Sequence, residues 1–358
     1  MTAVASNAHT VQIVAAGGSV LANLISGLAA DQWGTLTVAN SVSLDPSGQS
    51  GDGWFSQSPR GEWDSLHDIA RTWGACHGNA GTFQRQWMSG YVDANNSYIT
   101  PIAIAGPNSQ ITHGFYGGPA IDQQTGDVYG AQAYIDNKNI RRYIYATGAQ
   151  DTPFPTNNVI DAHCSGIAVA YHPGLYNGAG GIVTASNSGI WSSRLPRSGS
   201  VAWNFVLDRT SQVDAMDDFP VCTYNRKDGC VYVGGGGSSG PRKLWKIPAS
   251  ATQGTAIAVA YPPGLPLYEW TSNSSAAALV AAGDPAKSMV AMGNDAIIRA
   301  YNEVGDSWST LAAVVPNGLV NSYNTWWNFI PCPKYKCILA MQGASNLQTS
   351  PTLYVFNH

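Results

Sequence analysis

Four pairs of polar residues are the first candidates for chemistry: His67 with Asp68, His113 with Gly114, His163 with Cys164, and Asp217 with Asp218. Each pair precedes a short apolar segment, so if those segments are equivalent units the four pairs ring one opening. Three imidazoles with nearby carboxylates can ligate a metal or serve as general acid and base on a polysaccharide. The candidate ligand-binding residues are therefore His67, His113, His163 and Asp217, with any metal unassigned. The competing reading is that a His in such a position hydrogen-bonds the backbone of the next unit.

Other chemistry has weaker footing. Glu occurs only at Glu62, Glu269 and Glu303, so a glycosidase pair of carboxylates has to come from Glu62, Asp64, Asp217 and Asp218. These read first as turn or rim residues, and no catalytic residue is nominated. Of six cysteines, Cys222 and Cys230 flank one turn and Cys332 and Cys337 another. A metal or a cross-hairpin disulfide is conceivable there, but without a C-x-x-C pair they read as small, half-buried strand residues. The glycine run from Gly234 to Gly240 lacks the Lys-Ser or Lys-Thr of a phosphate-binding loop. Trp54, Trp63, Trp73, Trp87, Trp326 and Trp327 suit sugar platforms or packing between units, and Trp203, Trp245 and Trp308 recur at equivalent positions.

The elements that must position these residues follow from composition. The 358 residues are 44% hydrophobic, 10% aromatic and only 11% charged, with net charge −4, which excludes disorder and leaves no basic footprint for nucleic acid. Straight-chain helix formers are scarce, whereas 39 Gly and 20 Pro alternate with short Val, Ile, Tyr and Trp runs. That is an all-β vocabulary of strands and tight turns. One helix is expected over Ser19 to Ala30, where Leu21, Leu24, Ile25 and Leu28 share a face. The stretch from Val11 to Ala30 is too interrupted by Gly, Ser and Asn to span a membrane. Met1 to Thr10 carries no Lys or Arg, so no secretory signal and a cytoplasmic origin are expected.

An internal repeat sets the architecture. The segment from Pro119 to Tyr129 is echoed by Val221 to Tyr232, aligning Asp122 with Asn225, Gly126 with Gly229, and Val128-Tyr129 with Val231-Tyr232. Weaker copies lie at Ala170 to Gly174, Ala282 to Met289 and Pro331 to Cys337, and a poorer one at Gly78 to Gln86. The anchors Asp122, His172, Asn225, Asp284 and Cys332 are roughly 50 to 60 residues apart, room for four short strands each. Four-stranded sheets that stack radially to cover both faces make a β-propeller, here with six blades and seven as the alternative. Outer strands carry Trp, as at Trp203 and Trp308, but the last unit ends at Thr352 to Asn357 without one. Gln32 to Val38 has the missing pattern and would close the ring. Residues 31–358 are thus the propeller, residues 1–30 an arm outside it, and Asp45 to Ser58 a connecting loop.

The blade period, the Asp-x-x-x-Gly-x-Val-Tyr turn and the closing N-terminal strand resemble the kelch and galactose-oxidase class of propeller, with the double glycine at Gly234 to Gly237 and Trp245 after it. That class implies a copper site of cross-linked Cys and Tyr, a second Tyr and two His. Those positions cannot be assigned in this sequence, so no cofactor is expected. The chain is also similar in style to propellers built into tailed-bacteriophage particles. The resemblance implies a non-catalytic structural or interaction protein of a virion, made in the host cytoplasm, contacting other virion proteins through residues 1–30 and conceivably a cell-surface glycan. The alternative is a polysaccharide-binding or polysaccharide-degrading propeller that uses the His-lined mouth.

Overall fold

The computed structural model describes residues 19–40, 60–75, 86–104, 118–132, 139–154, 168–186, 189–198, 201–208, 220–235, 242–264, 267, 277–293, 295–316, 319, 325–344 and 352–358. They form six antiparallel sheets arranged as a six-bladed β-propeller. Blade I holds Glu62–Asp64, Ile69–Ala75, Gln86–Val92, Ser97–Tyr98 and Ile102–Ile104; blade II holds Ala120–Ile121, Val128–Gln132, Asn139–Tyr143 and Gln150–Asp151. Blade III runs from Ala168–His172 to Trp203–Asp208, blade IV from Val221–Asn225 to Ile257–Val259, and blade V from Ala277–Ala281 to Ser307–Val314. Blade VI is assembled from both ends of this region: Thr325–Cys332, Cys337–Ala344 and Leu353–Asn357, with Gln32–Leu36 as its outer strand. The first strands of successive blades touch in one closed circuit, I to VI and back to I.

Closure occurs where the sequence places it. Gln32 faces Asn357, Trp33 faces Phe356, and the antiparallel register continues to Leu36 against Leu353. Trp33 stacks on Phe356 with ring centroids 4.7 Å apart, the aromatic cross-strand contact that stabilises such a pair.

The repeated turn also has a local cause. Asp122 accepts from Gln124 N through its side chain (3.0 Å) and from Gly126 N through its carbonyl (2.8 Å), and Gly126 sits at φ +74°. Asn225 repeats this with Lys227 N (3.2 Å), Gly229 N (3.0 Å) and Gly229 at φ +68°. The short side chain bonds its own turn, and glycine supplies the left-handed residue at no steric cost.

Blade I corrects the sequence reading. Its equivalent turn is not at Gly78 to Gln86, of which 78–85 lie outside the described residues. It is at Asp64 to Asp68, where Asp64 accepts from Leu66 N (3.2 Å) and His67 N (3.1 Å) and Asp68 takes the left-handed position at φ +56°. Asp tolerates that conformation better than most residues, so the turn forms without its glycine.

The arm also needs correcting at its C-terminal end. The helix spans Val20–Ser26, capped by the Ser19 hydroxyl, which accepts from Ala22 N at 2.9 Å, as an N-cap should. Its Leu21 and Leu24, with Leu28, are buried among Leu36, Trp63, Tyr91, Ile330, Leu339 and Leu353, side chains of blades VI and I. Gly34 lets this happen, since a Cβ there would lie 3.0 Å from Leu28 Cδ1. The helix therefore belongs to the propeller, and residues 1–18 lie outside the described part. Leu21→Ala is expected to lower the stability of the whole ring by about 3 kcal/mol, read by urea unfolding. An unchanged midpoint would mean that the helix is a detachable arm.

Candidate functional site

The axis of the ring carries a cluster of charges that sequence reading only half anticipated. Glu62 is in the first strand of blade I, and Arg226 follows Asn225 in the first turn of blade IV. Blade I neighbours only II and VI, so the 2.8 Å bond from Arg226 Nη2 to Glu62 Oε1 crosses the ring. Arg60 reaches equally far. Its Nη2 donates to Gly118 O at 3.4 Å and to Val169 O in blade III, and its Nη1 lies 3.9 Å from Glu62 Oε2. All three residues are largely withdrawn from solvent, with side chains 2% (Arg60), 9% (Glu62) and 15% (Arg226) exposed. Nothing local in the sequence links positions 60, 62 and 226; only the ring order brings them together.

His67 sits elsewhere than expected. It follows the innermost strand Glu62–Asp64 rather than preceding it. The reading erred because Glu62 and Asp64 make that strand look like a polar loop, leaving Ile69–Ala75 to pass for the innermost strand. The strands that follow His113, His163 and Asp217, namely Ala120–Ile121, Ala168–His172 and Val221–Asn225, begin on the face of the ring opposite the His67 turn. His113, His163 and Asp217 themselves lie outside the described residues, as do Asp218, Cys164 and Trp54.

Around His67 the contacts are well defined. Its Nδ1 is 2.8 Å from Asp64 Oδ2, and Arg71 Nη2 is 3.5 Å from that same oxygen. The ring stacks on Tyr145 of blade II at 3.5 Å between centroids, and a Cβ on Gly126 would stand 2.2 Å from its Cε1. A carboxylate at that distance favours the tautomer with the proton on Nδ1, which leaves Nε2 as the accepting nitrogen. That is the posture of a base or a metal ligand, yet no group of three His, Cys, Asp or Glu fit to hold a metal occurs among the described residues. Asp64 and Glu62, two of the four carboxylates weighed for a glycosidase pair, are both engaged by cations.

The same hairpin position clasps the neighbouring blade all round this face. Gln123 Nε2 donates to Trp63 O (2.8 Å) between II and I, and Arg197 pairs with Asp122 between III and II. His172 Nε2 meets Ile247 O (2.9 Å) between III and IV, and Asn225 Nδ2 donates to Ser288 Oγ (3.0 Å) between IV and V. Lys227 pairs with Glu303 at 2.7 Å, also between IV and V, and Lys334 with Asp68 at 2.6 Å between VI and I. The histidine that hydrogen-bonds backbone of the next blade, weighed for His67, is thus found at His172. Trp63 and Trp73 are wholly buried and serve packing. Cys222, Cys230, Cys332 and Cys337 are buried and not joined in disulfides, more deeply placed than the half-buried residues expected, and Cys332 directly faces Cys337 across its hairpin.

These features define the class: a closed six-bladed antiparallel β-propeller with a braced axis. Comparison with solved structures agrees on the fold. The GH93 α-L-arabinofuranosidase of Fusarium graminearum in complex with arabinobiose matches with TM-score 0.51 at 11% identity, over 90% of this chain and 97% of that one. A fungal AA5-family alcohol oxidase in complex with copper matches with TM-score 0.46 at 10% identity (86% and 76%), and the Neurospora crassa Pan2 WD40 domain with 0.45 at 8% (92% and 97%). No protein-family model and no curated protein sequence matches the chain. At 11% identity the likeness to the arabinofuranosidase is one of fold. No helix among the described residues is long and apolar enough to cross a membrane.

Burial lowers the His172 pKa below its ordinary value of about 6.5. The neutral ring is the one that bonds Gly174 N and Ile247 O, so the unfolded chain binds more protons in the window below about 6.5 and stability is lost as pH falls through it. His172→Gln is expected to be less stable than wild type at pH 7.5, with the gap narrowing towards pH 5. Urea midpoints measured across that range check it, and a constant gap would deny the linkage.

Proposed function

We propose that the chain is a non-catalytic interaction propeller of a larger assembly, in keeping with its resemblance to tailed-bacteriophage virion propellers. The observation that carries this reading is the bond from Arg226 to Glu62 across the axis. It commits the most suitable channel carboxylate to a brace and makes the ring a rigid platform. Asp64, the other nominated carboxylate among the described residues, is held between His67 and Arg71. Contacts to partner proteins fall to residues 1–18, whose Ala, Val, Gly and Thr content suits packing against another chain better than solvation. The saccharide reading needs His67, His113 and His163 at one mouth, and the position of His67 in blade I withdraws one of the three. A glycan contact through His113, His163 and Asp217 remains the second reading.

Light scattering after size exclusion tests the proposal on the full chain and on one beginning at Ser19, which keeps the helix. The expected result is a defined oligomer for the full chain and a monomer for the shortened one. Two monomers, with binding to a glycan array that is lost in His113→Ala or His163→Ala, would replace the assembly reading with the saccharide one.

A further inference from the structure

The axial cluster is electrostatically incomplete. Two guanidinium groups converge on the single carboxylate of Glu62, which among the described residues leaves one positive charge in excess. Three of their nitrogens, Arg60 Nε, Arg60 Nη1 and Arg226 Nη1, are buried with no hydrogen-bond partner among the described residues. A buried, unmatched cationic N–H is costly, and native proteins satisfy nearly all such groups. Arg60 in addition is held by main-chain carbonyls of blades II and III, so it cannot swing out to solvent to find a partner.

The geometry points to a binding site for a small oxyanion, a carboxylate or a phosphoryl group, between Arg60 and Arg226 on the propeller axis. Guanidinium forks match the paired oxygens of both groups. The anion would take up the free N–H groups and bring the cluster to charge balance, with Glu62 as the resident anion beside it. The site is independent of whether the ring serves an assembly, since it follows from the charges on the axis alone.

The probe is inorganic phosphate, with sodium acetate in parallel, at ionic strength held constant with sodium chloride. Thermal unfolding of the full chain is expected to show a saturable rise in Tm, about 2 °C at a tenfold excess over Kd. The larger response of the two identifies the phosphoryl or the carboxylate class. Arg226→Gln is expected to abolish the rise. Glu62→Gln removes the competing negative charge and is expected to tighten phosphate or acetate binding about tenfold or more. If Arg226→Gln does not fold, Glu62→Gln decides alone. No saturable rise in wild type, or the same Kd in wild type and Glu62→Gln, overturns the assignment.

Discussion

Five residue pairs, Gln32 to Leu36 against Asn357 to Leu353, hold the ring shut. A single four-stranded sheet of this kind cannot cover both of its faces, and each blade here buries itself only against the next. The join inside blade VI, between Leu353–Asn357 and Gln32–Leu36, is where chain continuity does not bring neighbours together, and blade VI is secured there and against blade I several times over. The closing strand, the leucines of the helix, and the ion pair of Lys334 with Asp68 all act there. Tyr335 of blade VI also donates to Asp93 of blade I, whose carboxylate in turn accepts from the helix cap Ser19 at 2.9 Å.

Charge is scarce in the sequence but concentrated in the fold. Many of the described ion pairs join one blade to another, on the face where the first hairpins turn. The exposed ones contribute little net stability, and the buried Arg226–Glu62 pair little compared with an apolar filling, although losing one of its partners is costly. They also specify neighbours: a blade whose turn carries Asp122 is matched by the one that offers Arg197. In a ring of near-equivalent sheets, such labels resist mispairing that apolar faces alone would permit.

What could be read from sequence alone divides by distance along the chain. The turns at Asp122 and Asn225 were legible because their causes lie within five residues: a side chain that bonds its own backbone, then a left-handed glycine. The blade I turn was missed because Asp68 stands where the glycine would be; the spacing from Asp64 to Asp68 was its only signal. The helix was legible as a helix, yet its leucine stripe does not say what it packs against, and the partner proved to be the propeller seam. Glu62 was noticed for its rarity, but its partner is 164 residues away and belongs to the opposite blade. His67 was drawn into the wrong group for the same reason, since strand order within a blade, and hence the face of the ring, is not a local property.

The closing strand has a mechanical consequence. Because Gln32 lies beside Asn357, a pull upstream of residue 32 and a pull at residue 357 act on the same end of the ladder. Such a load opens the hydrogen bonds one after another, as a zipper opens, instead of shearing all five pairs together. At that end of the ladder stand the bond from Asp31 N to Asn357 O at 2.6 Å and the contact of Asp31 with His358 at 2.7 Å. Tension applied between two interior blades meets whole sheets instead. The five closing pairs are therefore weaker against tension between the two ends of this ladder than they would be against shear along it.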